Sequence, residues 1–183
     1  MNVMISAEVM ETGLADERAL IRAAQESPAA FAALYDAYFT RVYRYVRKRV
    51  GTVEEAEDIT SEVFVRAFRS LRDMRGPSFA AWIFRIAHNQ VANHHRDRRE
   101  VPLLDEDRPD SRDAFSHVDN REMVWKLVGA LTPEQQEAVR LKFAGELSAK
   151  EIGLVMKKSI PAVGMLLSRA MQSLRAGAGN EVV

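Results

Sequence analysis

The residues best suited to a chemical role lie between residues 148 and 175. A short helix that opens with a Ser148–Glu151 capping box is followed by a three-residue turn and a longer helix. This order is typical of a helix-turn-helix, whose second helix enters the major groove of DNA, but a plain helical hairpin shows the same pattern. In the DNA-binding case Val163 and Leu167 pack inward. The residues that then face bases or phosphates are Lys157, Lys158, Ser159, Pro161, Ala162, Gly164, Met165, Ser168 and Arg169.

A second group combines aromatic, amide and basic side chains along a helix that is predicted from Ser78 to about Glu100. Aromatic rings that stack on an unpaired base, next to amides and cations, suit the capture of single-stranded DNA. The alternative is that the aromatic residues belong to the core, which the spacing favours more for Trp82. The members of this group are Arg75, Ser78, Phe79, Trp82, Arg85, Asn89, Asn93, His94, Arg96, Arg98 and Arg99.

A third group is acidic and lies in the segment TVEEAEDITSE at residues 52–62. Asp58, Ser61 and Glu62 share one helical face at the spacing i, i+3 and i+4. Acid–base chemistry by paired carboxylates would need a pocket, of which the sequence shows no sign. A polar docking face for a basic partner is therefore the favoured interpretation, and a solvated helix face is the alternative.

Metal and cofactor chemistry are not indicated. The chain has no Cys, and no H-E-x-x-H motif is present. His94 and His95 are adjacent, so their side chains point about 100° apart on a helix. A Gly-rich phosphate loop and a nucleophile elbow are also absent from the sequence. We therefore predict no catalytic residue, no metal and no cofactor.

Helices are the elements that must position these groups, because apolar residues recur at spacings of three and four and no strand-like alternation is seen. Further capping boxes are predicted at Thr52–Glu55 and Thr132–Gln135. The predicted fold class is all-α, with two small helical domains and a flexible acidic linker between them. The boundaries are a disordered N-terminal tail at 1–13, a first domain at 14–100, the linker at 101–120, a second domain at 121–176 and a C-terminal tail at 177–183.

The formal net charge of the 183 residues is zero, which taken as a whole argues against a nucleic-acid partner. The charge by segment indicates the opposite. Residues 14–100 carry 15 basic and 12 acidic residues, and residues 121–176 carry 9 basic and 5 acidic residues. The linker carries six acidic and two basic residues. Both predicted domains are thus basic, as DNA binding requires, although modestly so.

Targeting to a membrane or out of the cell is not indicated. Apolar residues never run for the roughly 20 positions that span a bilayer. The start, MNVMISAEVMETG, lacks the basic and apolar regions of a secretory signal. We expect a cytoplasmic protein without membrane insertion.

Three segments in this order resemble the extracytoplasmic-function (ECF, group 4) sigma factors of the sigma-70 family. The segments are EEAEDITSEVFVRAFRSL, FAAWIFRIAHNQVANHHRDRRE and LTPEQQEAVRLKFAGELSAKEIGLVM, the last followed by one more helix. The resemblance covers about residues 20–176. It implies a protein that is not an enzyme, that directs core RNA polymerase to promoters and that helps to melt the start region.

The resemblance also implies a role for each group of residues. Asp58, Ser61 and Glu62 would dock on the clamp helices of the polymerase β′ subunit. The group from Arg75 to Arg99 would recognise and melt the −10 element. The last helix would read the −35 element, its domain would touch the β flap, and the linker would pass through the active-site and RNA-exit region. An anti-sigma factor is a further partner expected for the family.

The sequence departs from the family pattern in the predicted helix-turn-helix. Lys157 occupies the turn position at which the family usually has Gly, and a non-Gly residue in a left-handed turn costs about 1 kcal/mol. Gly164 and Leu166 stand where Lys and Arg are frequent. We therefore expect the readout of the −35 element to depend more on phosphates and DNA shape. Gly153 is a small residue at the predicted crossing of the two helices.

Two other functions remain open at this point. A stand-alone helix-turn-helix regulator would usually need to dimerise, and it would leave the acidic face and the aromatic helix without a role. A nucleic-acid enzyme that uses clustered carboxylates and a divalent ion is the third possibility.

Overall fold

The computed structural model describes residues 17–76, 78–100, 125 and 127–180, without the side chains of residues 98–100 and 178–180. These residues contain helices and no strand, which confirms the all-α prediction. The predicted tail at 1–13 and linker at 101–120 lie outside the described residues. The helices are α1 (17–26), α2 (Phe31–Arg47), α3 (Val53–Ser70), α4 (Phe79–Glu100), α5 (127–129), α6 (Pro133–Phe143), α7 (Ala149–Met156) and α8 (Ile160–Asn180).

The starts of α3, α6 and α7 are set by the three predicted capping boxes, all of which are present. At α3, Thr52 Oγ1 accepts the Glu55 amide at 3.1 Å, and Glu55 Oε2 accepts the Thr52 amide at 3.1 Å. Each box satisfies amide groups that have no partner inside the helix. Local sequence therefore decides where these helices begin.

The N-terminal domain, residues 17–100, is a bundle in which α3 packs against both α2 and α4. The inward face of α3 is apolar, and its residues Val63 and Ala67 are fully buried. They belong to the same apolar core as Leu34 and Val42 of α2 and Ile83 of α4, all of them inaccessible to solvent. The helices pack through apolar side chains at helical spacing, which removes these side chains from water.

The C-terminal domain, described at residue 125 and residues 127–180, packs α6 against α7 and α8. Val163, predicted to face inward, is fully buried together with Leu141 and Ile152. A second small cluster joins Val128 to Ala170 on α8.

The two domains pack directly against each other, a contact that the sequence did not predict. Their apolar residues form one continuous core, and α4 packs against α7. At the centre of the contact, a Cβ placed on Gly145 would lie 2.7 Å from Phe84 Cε1 and 2.8 Å from the Leu141 carbonyl oxygen. Only Gly fits this point, because real Cβ atoms essentially never approach so closely.

The pair Ser27–Pro28 has the pattern of an N-cap followed by Pro, but Ser27 makes no capping hydrogen bond with its side chain, and a 3-10 turn at Pro28–Ala30 precedes α2. The helix α2 ends at Arg47, four residues before Gly51. At the other end of the chain α8 runs to Asn180, beyond the predicted domain end at residue 176. Its extension packs on α5, since a Cβ on Gly177 would lie 3.1 Å from Leu127 Cδ2.

Candidate nucleic-acid interface

A helix-turn-helix is formed by α7, a short turn and α8. Lys157 ends α7 in the left-handed conformation, with φ 55° and ψ 45°. The prediction of a non-Gly residue in a left-handed turn is therefore confirmed. Gly153 lies against this turn, and a Cβ there would be 2.7 Å from the Lys158 carbonyl oxygen. The small residue predicted at the crossing is thus required by the close approach of the two backbone segments.

The outer side of α8 forms a surface that we call the recognition face. Its inner side holds the buried Val163 and the half-buried Leu167, as predicted. Met165 is 58% exposed. Lys158 Nζ forms a 2.8 Å ion pair with Glu134 of α6, in the same domain. Lys157 is exposed at the edge of the recognition face, and Ala162 is half-buried within it. The exposed residues of the recognition face are Ser159, Pro161, Gly164, Met165, Ser168 and Arg169.

A cleft of about 600 Å³ opens between α3 and α4. From α4 it is lined by Asn89 and Asn93, two of the residues predicted to meet single-stranded DNA. From α3 it is lined by Arg66 and Arg69, which are not among the residues predicted to bind DNA. The sequence feature that could have predicted them is a series of Arg at every third position after the acidic segment, at residues 66, 69, 72 and 75. Amides and guanidinium groups around an open cleft suit a phosphate or an unpaired base.

The aromatic residues at the start of α4 are placed in the reverse of the expected order. Phe79 is fully buried, with its ring centroid 4.9 Å from that of Tyr38 and 5.6 Å from that of Trp82. Trp82, which the spacing favoured as the core residue, is half-buried. Phe79 therefore has no free ring face for a base in this conformation, because α2 covers it.

The other members of the predicted single-strand group are spread along α4 and the loop before it. Arg75, Arg85 and Arg96 are exposed. His94 Nε2 lies 3.3 Å from Glu55 Oε1 on α3. Ser78 donates from its hydroxyl to Glu151 Oε1 at 2.7 Å, across the contact between the domains. The side chains of Arg98 and Arg99 lie outside the described residues.

The predicted docking face lies on α3. Asp58 and Ser61 are exposed, and Glu62 is half-buried, accepting from Arg66 Nε at 2.6 Å. Two apolar residues continue this face along the helix, since Val65 is 40% and Phe68 47% exposed. Exposed apolar side chains next to carboxylates are typical of a binding surface.

A buried polar cluster joins the two domains at Glu137 on α6. The Tyr45 hydroxyl donates to Glu137 Oε1 at 2.6 Å, and Arg49 Nη1 donates to Oε2 at 2.5 Å. His88 Nδ1 lies 2.8 Å from Oε1. Glu137 is only 7% exposed. Burial alone would raise the pKa of this carboxyl, but the bonds from His88, Arg49 and Tyr45 outweigh burial and lower its pKa.

A second polar contact joins the domains around the loop after α6. Arg41 donates to the carbonyl oxygens of Gly145 and Glu146 at 3.0 and 3.2 Å. Arg44 pairs with the Glu146 carboxylate at 3.1 Å. Lys48 extends the contact, with its ammonium 4.9 Å from the centre of the Trp125 ring. Basic side chains of the first domain thus hold carbonyls, a carboxylate and an aromatic ring of the second.

Metal ligation and membrane insertion find no support in the part of the chain that the structure describes. Within it, no three His, Asp or Glu residues are grouped so as to hold a metal ion. None of its helices combines the length and apolar character needed to cross a bilayer.

Comparison with known proteins gives two family matches and several relatives. The family described as Sigma-70 region 2 matches residues 34–101, and the family described as Sigma-70, region 4 matches residues 121–174. The ECF RNA polymerase sigma factor BldN of Streptomyces coelicolor is 38% identical over 167 residues, which cover 85% of this chain and 63% of the relative. The ECF RNA polymerase sigma factor SigW of Bacillus subtilis is 25% identical over 163 residues, 80% of this chain and 87% of the relative. The chain thus spans less than two thirds of the length of BldN.

Solved structures give the same fold. CnrH, in complex with the cytosolic domain of CnrY, has a TM-score of 0.69 at 23% identity, over 90% of this chain and 97% of that chain. RpoE in complex with the anti-sigma factor NepR, from Bartonella quintana, has a TM-score of 0.66 at 20% identity, over 80% of this chain and 94% of that chain. The sequence matches, together with the two helical domains, place the chain in a known group: it belongs to the ECF sigma factors of the sigma-70 family.

Proposed function

We propose that this protein binds core RNA polymerase, directs it to a set of promoters and helps to open the DNA there. The observation that carries the proposal is that one chain holds a docking face, an amide- and arginine-lined cleft and a helix-turn-helix, in the order of regions 2 and 4 of the family. The N-terminal domain is called region 2 and the C-terminal domain region 4 from here on.

Docking on polymerase is assigned to α3 of region 2. Asp58, Ser61 and Glu62 supply hydrogen-bond acceptors and negative charge, which suit a basic helix pair such as the β′ clamp. Val65 and Phe68 extend the surface with apolar area that docking would remove from water. Region 4 is assigned to the β flap, as the resemblance implies.

Opening of the −10 element is assigned to the cleft between α3 and α4 and to the loop at Arg75–Ser78. Asn89 and Asn93 offer amide groups to a base edge, while Arg66 and Arg69 offer guanidinium groups to phosphates. Separating a base from its neighbours costs a few kcal/mol, so melting needs a site that binds the unpaired base.

Reading of the −35 element is assigned to the recognition face of α8. Among the predicted contacts, Arg169 and Lys157 are exposed cations for phosphates. Met165 and Pro161 present apolar surface, which suits the methyl group of thymine. Gly164 is exposed, with space around it, so it brings the backbone close to the DNA without a contact to a base edge.

The direct test is transcription with core polymerase on a panel of promoters from the source genome. Addition of the protein should give new start sites, and an unchanged set of transcripts would contradict the proposal. A variant with Asp58→Arg and Glu62→Arg should bind core polymerase at least about tenfold more weakly, a loss of about 1.4 kcal/mol. Asp36→Arg, on the exposed side of α2, is the matched control and should bind normally.

The stand-alone regulator makes a different prediction. It would bind promoter duplex tightly without polymerase, with a strong dependence on salt, and the Asp58 and Glu62 changes would leave its activity intact. We propose no catalytic activity, no metal and no cofactor, and we place the protein in the cytoplasm with its polymerase. An anti-sigma factor is proposed as a further partner, because RpoE, which has the same fold, has been solved in complex with the anti-sigma factor NepR.

A further inference from the structure

The first two turns of α8 carry no polar side chain. Residues 160–167 read IPAVGMLL, and none of their side chains has an N–H or O–H group. The Met165 thioether is at most a weak acceptor. In a helix-turn-helix the first residues of the second helix meet the base edges. This part of the recognition face therefore forms no strong side-chain hydrogen bond with a base.

The polar residues of the recognition face lie at its two ends. The Ser159 hydroxyl accepts the Ala162 amide at 3.4 Å, as an N-cap does. Ser168 and Arg169 are exposed, but they lie about 12 Å or more along the axis from the first residue of α8. Lys157 is exposed just before α8. Cations on both sides of an apolar stretch suit phosphates at the two edges of a major groove about 12 Å wide.

The exposed apolar side chains of α8 call for a ligand that removes them from water. Ile160 is 52% and Met165 58% exposed. Pro161 is also exposed and stands one turn before Met165, so the two lie on the same side of the helix. Grouped apolar side chains on a surface are typical of a binding site. The cations at both ends, and nine basic against five acidic residues in 121–176, favour DNA over an apolar protein surface as the ligand.

Gly164 points independently to a ligand that approaches the backbone. Gly weakens the interior of a helix, and nothing in the protein requires it here, because a Cβ on Gly164 would have no atom within 4 Å. Gly153 differs, since a Cβ there would meet the Lys158 carbonyl oxygen. An exposed Gly without an internal reason is typical of a backbone that a ligand approaches closely. The approach would bring Pro161 and Met165 to the base edges.

Thymine has the base edge that suits this apolar stretch. Its C5-methyl group is the one apolar group that the four bases present in the major groove. Guanine, adenine and cytosine present donors and acceptors there, which would lose water against Met165 without gaining a hydrogen bond. Unpaired polar groups of this kind cost binding free energy. The recognition face therefore favours thymines and disfavours G·C pairs.

We propose that region 4 reads the −35 element through the methyl groups of adjacent thymines, which Pro161 and Met165 contact in the major groove. Gly164 allows their close approach, and Lys157 and Arg169 bind the flanking phosphates. The inference rests on the proposed function and names what the recognition face reads there. Methyl contacts add a direct readout of bases to the contacts with phosphates and DNA shape that the sequence predicts.

The first experiment finds the element itself. Core polymerase reconstituted with the full chain selects duplexes, at fixed salt, from a pool of promoter DNA that is randomised over the −35 segment. The selected duplexes should share at least two adjacent thymines on one strand at a fixed position. An element that consists of G·C pairs alone would overturn the proposal.

The second experiment removes the methyl groups one at a time. Deoxyuridine in place of thymidine keeps every hydrogen-bonding group of the base and lacks only the methyl group. Each replacement within the shared thymines should weaken binding of the polymerase complex about fourfold, the effect of exposing one buried carbon. The same replacement outside the element is the control and should have no effect. Unchanged binding after every replacement within the element would overturn the proposal.

The third experiment assigns the methyl contact to α8. With Met165→Ala, thymidine and deoxyuridine should bind equally within about twofold at one or more of these positions. The matched control is Leu154→Ala, which truncates a 41% exposed apolar side chain of α7 outside the recognition face. The control should keep the fourfold difference. If Met165→Ala keeps it at every position as well, the methyl group acts through DNA shape and the proposal is overturned.

The proposed function and this inference fail in different ways. A protein that gives no new start sites with core polymerase would contradict the proposed function. A protein that gives promoter-specific transcripts but binds thymidine and deoxyuridine elements equally well would contradict the inference alone.

Discussion

The hydroxyl of Ser78 and the carboxylate of Glu151 lie 2.7 Å apart, and each also caps a helix of its own domain. Ser78 Oγ accepts the amide of Ala81 at the start of α4. Glu151 closes the capping box of α7, and its bonds from Ser148 and Ser78 outweigh its burial and lower its pKa. Two helix starts and the contact between the domains therefore share the same two side chains; Glu151 uses Oε1 for Ser78 and Oε2 for the capping box.

A double-mutant cycle measures this sharing. Ser78→Ala should cost about 1 kcal/mol of the free energy of unfolding, since it removes a cap and a hydrogen bond between the domains. The double mutant with Glu151→Gln should lose at least about 0.5 kcal/mol less than the sum of the two single-mutant losses, as is found for residues in contact. Thr132→Ala removes a cap on α6 that does not touch Glu151, so its loss should add to that of Glu151→Gln. Urea unfolding measures both cycles, and additivity for Ser78 would contradict the coupling.

Gly145 and Gly164 should respond in opposite ways to the same substitution. Gly145→Ala forces a Cβ against Phe84 and Leu141, and overpacking of this kind typically costs about 1–3 kcal/mol. Gly164→Ala adds a methyl group in open space on α8 and should stabilise the protein by about 1 kcal/mol. Thermal unfolding should show a lower melting temperature for Gly145→Ala and a higher one for Gly164→Ala. Equal shifts in the melting temperature would show that the packing around Gly145 is not limiting.

The left-handed Lys157 predicts a stabilising change to Gly. A non-Gly residue in this conformation costs about 1–2 kcal/mol, so Lys157→Gly should raise the free energy of unfolding by about 1 kcal/mol. Lys150→Gly, at an exposed position in the first turn of α7, should lower it instead, because Gly is a weaker helix former than Lys. Urea unfolding at neutral pH compares the two. A loss of stability in Lys157→Gly would mean that the Lys157 side chain makes a contact whose stabilisation exceeds the cost of the left-handed conformation.

Glu137 predicts a loss of stability in acid. Its pKa is lowered in the folded protein below the ordinary value of 4.5, so its carboxylate contributes stability at pH values above 4.5. That contribution falls as the pH drops through the folded pKa, when the carboxylate takes up a proton. Glu137→Gln should therefore be less stable at neutral pH and should show a flatter stability profile below pH 4.5. Identical slopes in the wild type and the variant would exclude Glu137 as a source of the acid sensitivity.

Tyr45 acts at the other end of the pH range. Burial first, and then the charge of Glu137, raise the pKa of its hydroxyl above the ordinary value of 10.0. The neutral hydroxyl thus contributes stability below pH 10, and the contribution falls as the pH rises through the folded pKa.

Arg69 tests the cleft between α3 and α4. Arg69→Ala should weaken opening of promoter DNA by the polymerase complex, and the loss should be largest at low salt, because a phosphate contact is removed. The slope of binding against the logarithm of salt should fall by about 0.7 for a single-strand contact. Arg22→Ala on α1 is the control, and an equal effect there would point to general electrostatics instead of the cleft.

Local features of this fold could be predicted from the sequence because they depend on near neighbours. The capping box of Ser148 and Glu151 needs residues three apart, and the inward positions of Val163 and Leu167 on α8 follow from helical spacing. The all-α fold class follows from the same spacing. The spacing left a plain helical hairpin open beside the helix-turn-helix, and the left-handed turn at Lys157 was expected only from the resemblance to the family.

The contact between the domains could not be predicted, because its partners are distant in the chain. Glu137 looks like a solvated charge on α6, yet it is buried by Tyr45, 92 residues away. The spacing favoured Trp82 over Phe79 as the core residue, but the packing of Tyr38 on α2 buries Phe79 instead. The position of Arg66 and Arg69 in a cleft could not be predicted either, because the other wall of the cleft is formed by α4.

The continuous core has a consequence for how the chain unfolds. Two domains that share apolar packing melt as one cooperative unit, although each has helices of its own. Once the contact opens, the smaller region 4 loses the surface that covers Gly145 and should unfold at a lower temperature than region 2. A single heat-absorption peak in calorimetry should therefore split into two in Glu137→Lys, so that the number of melting transitions reports whether the domains touch.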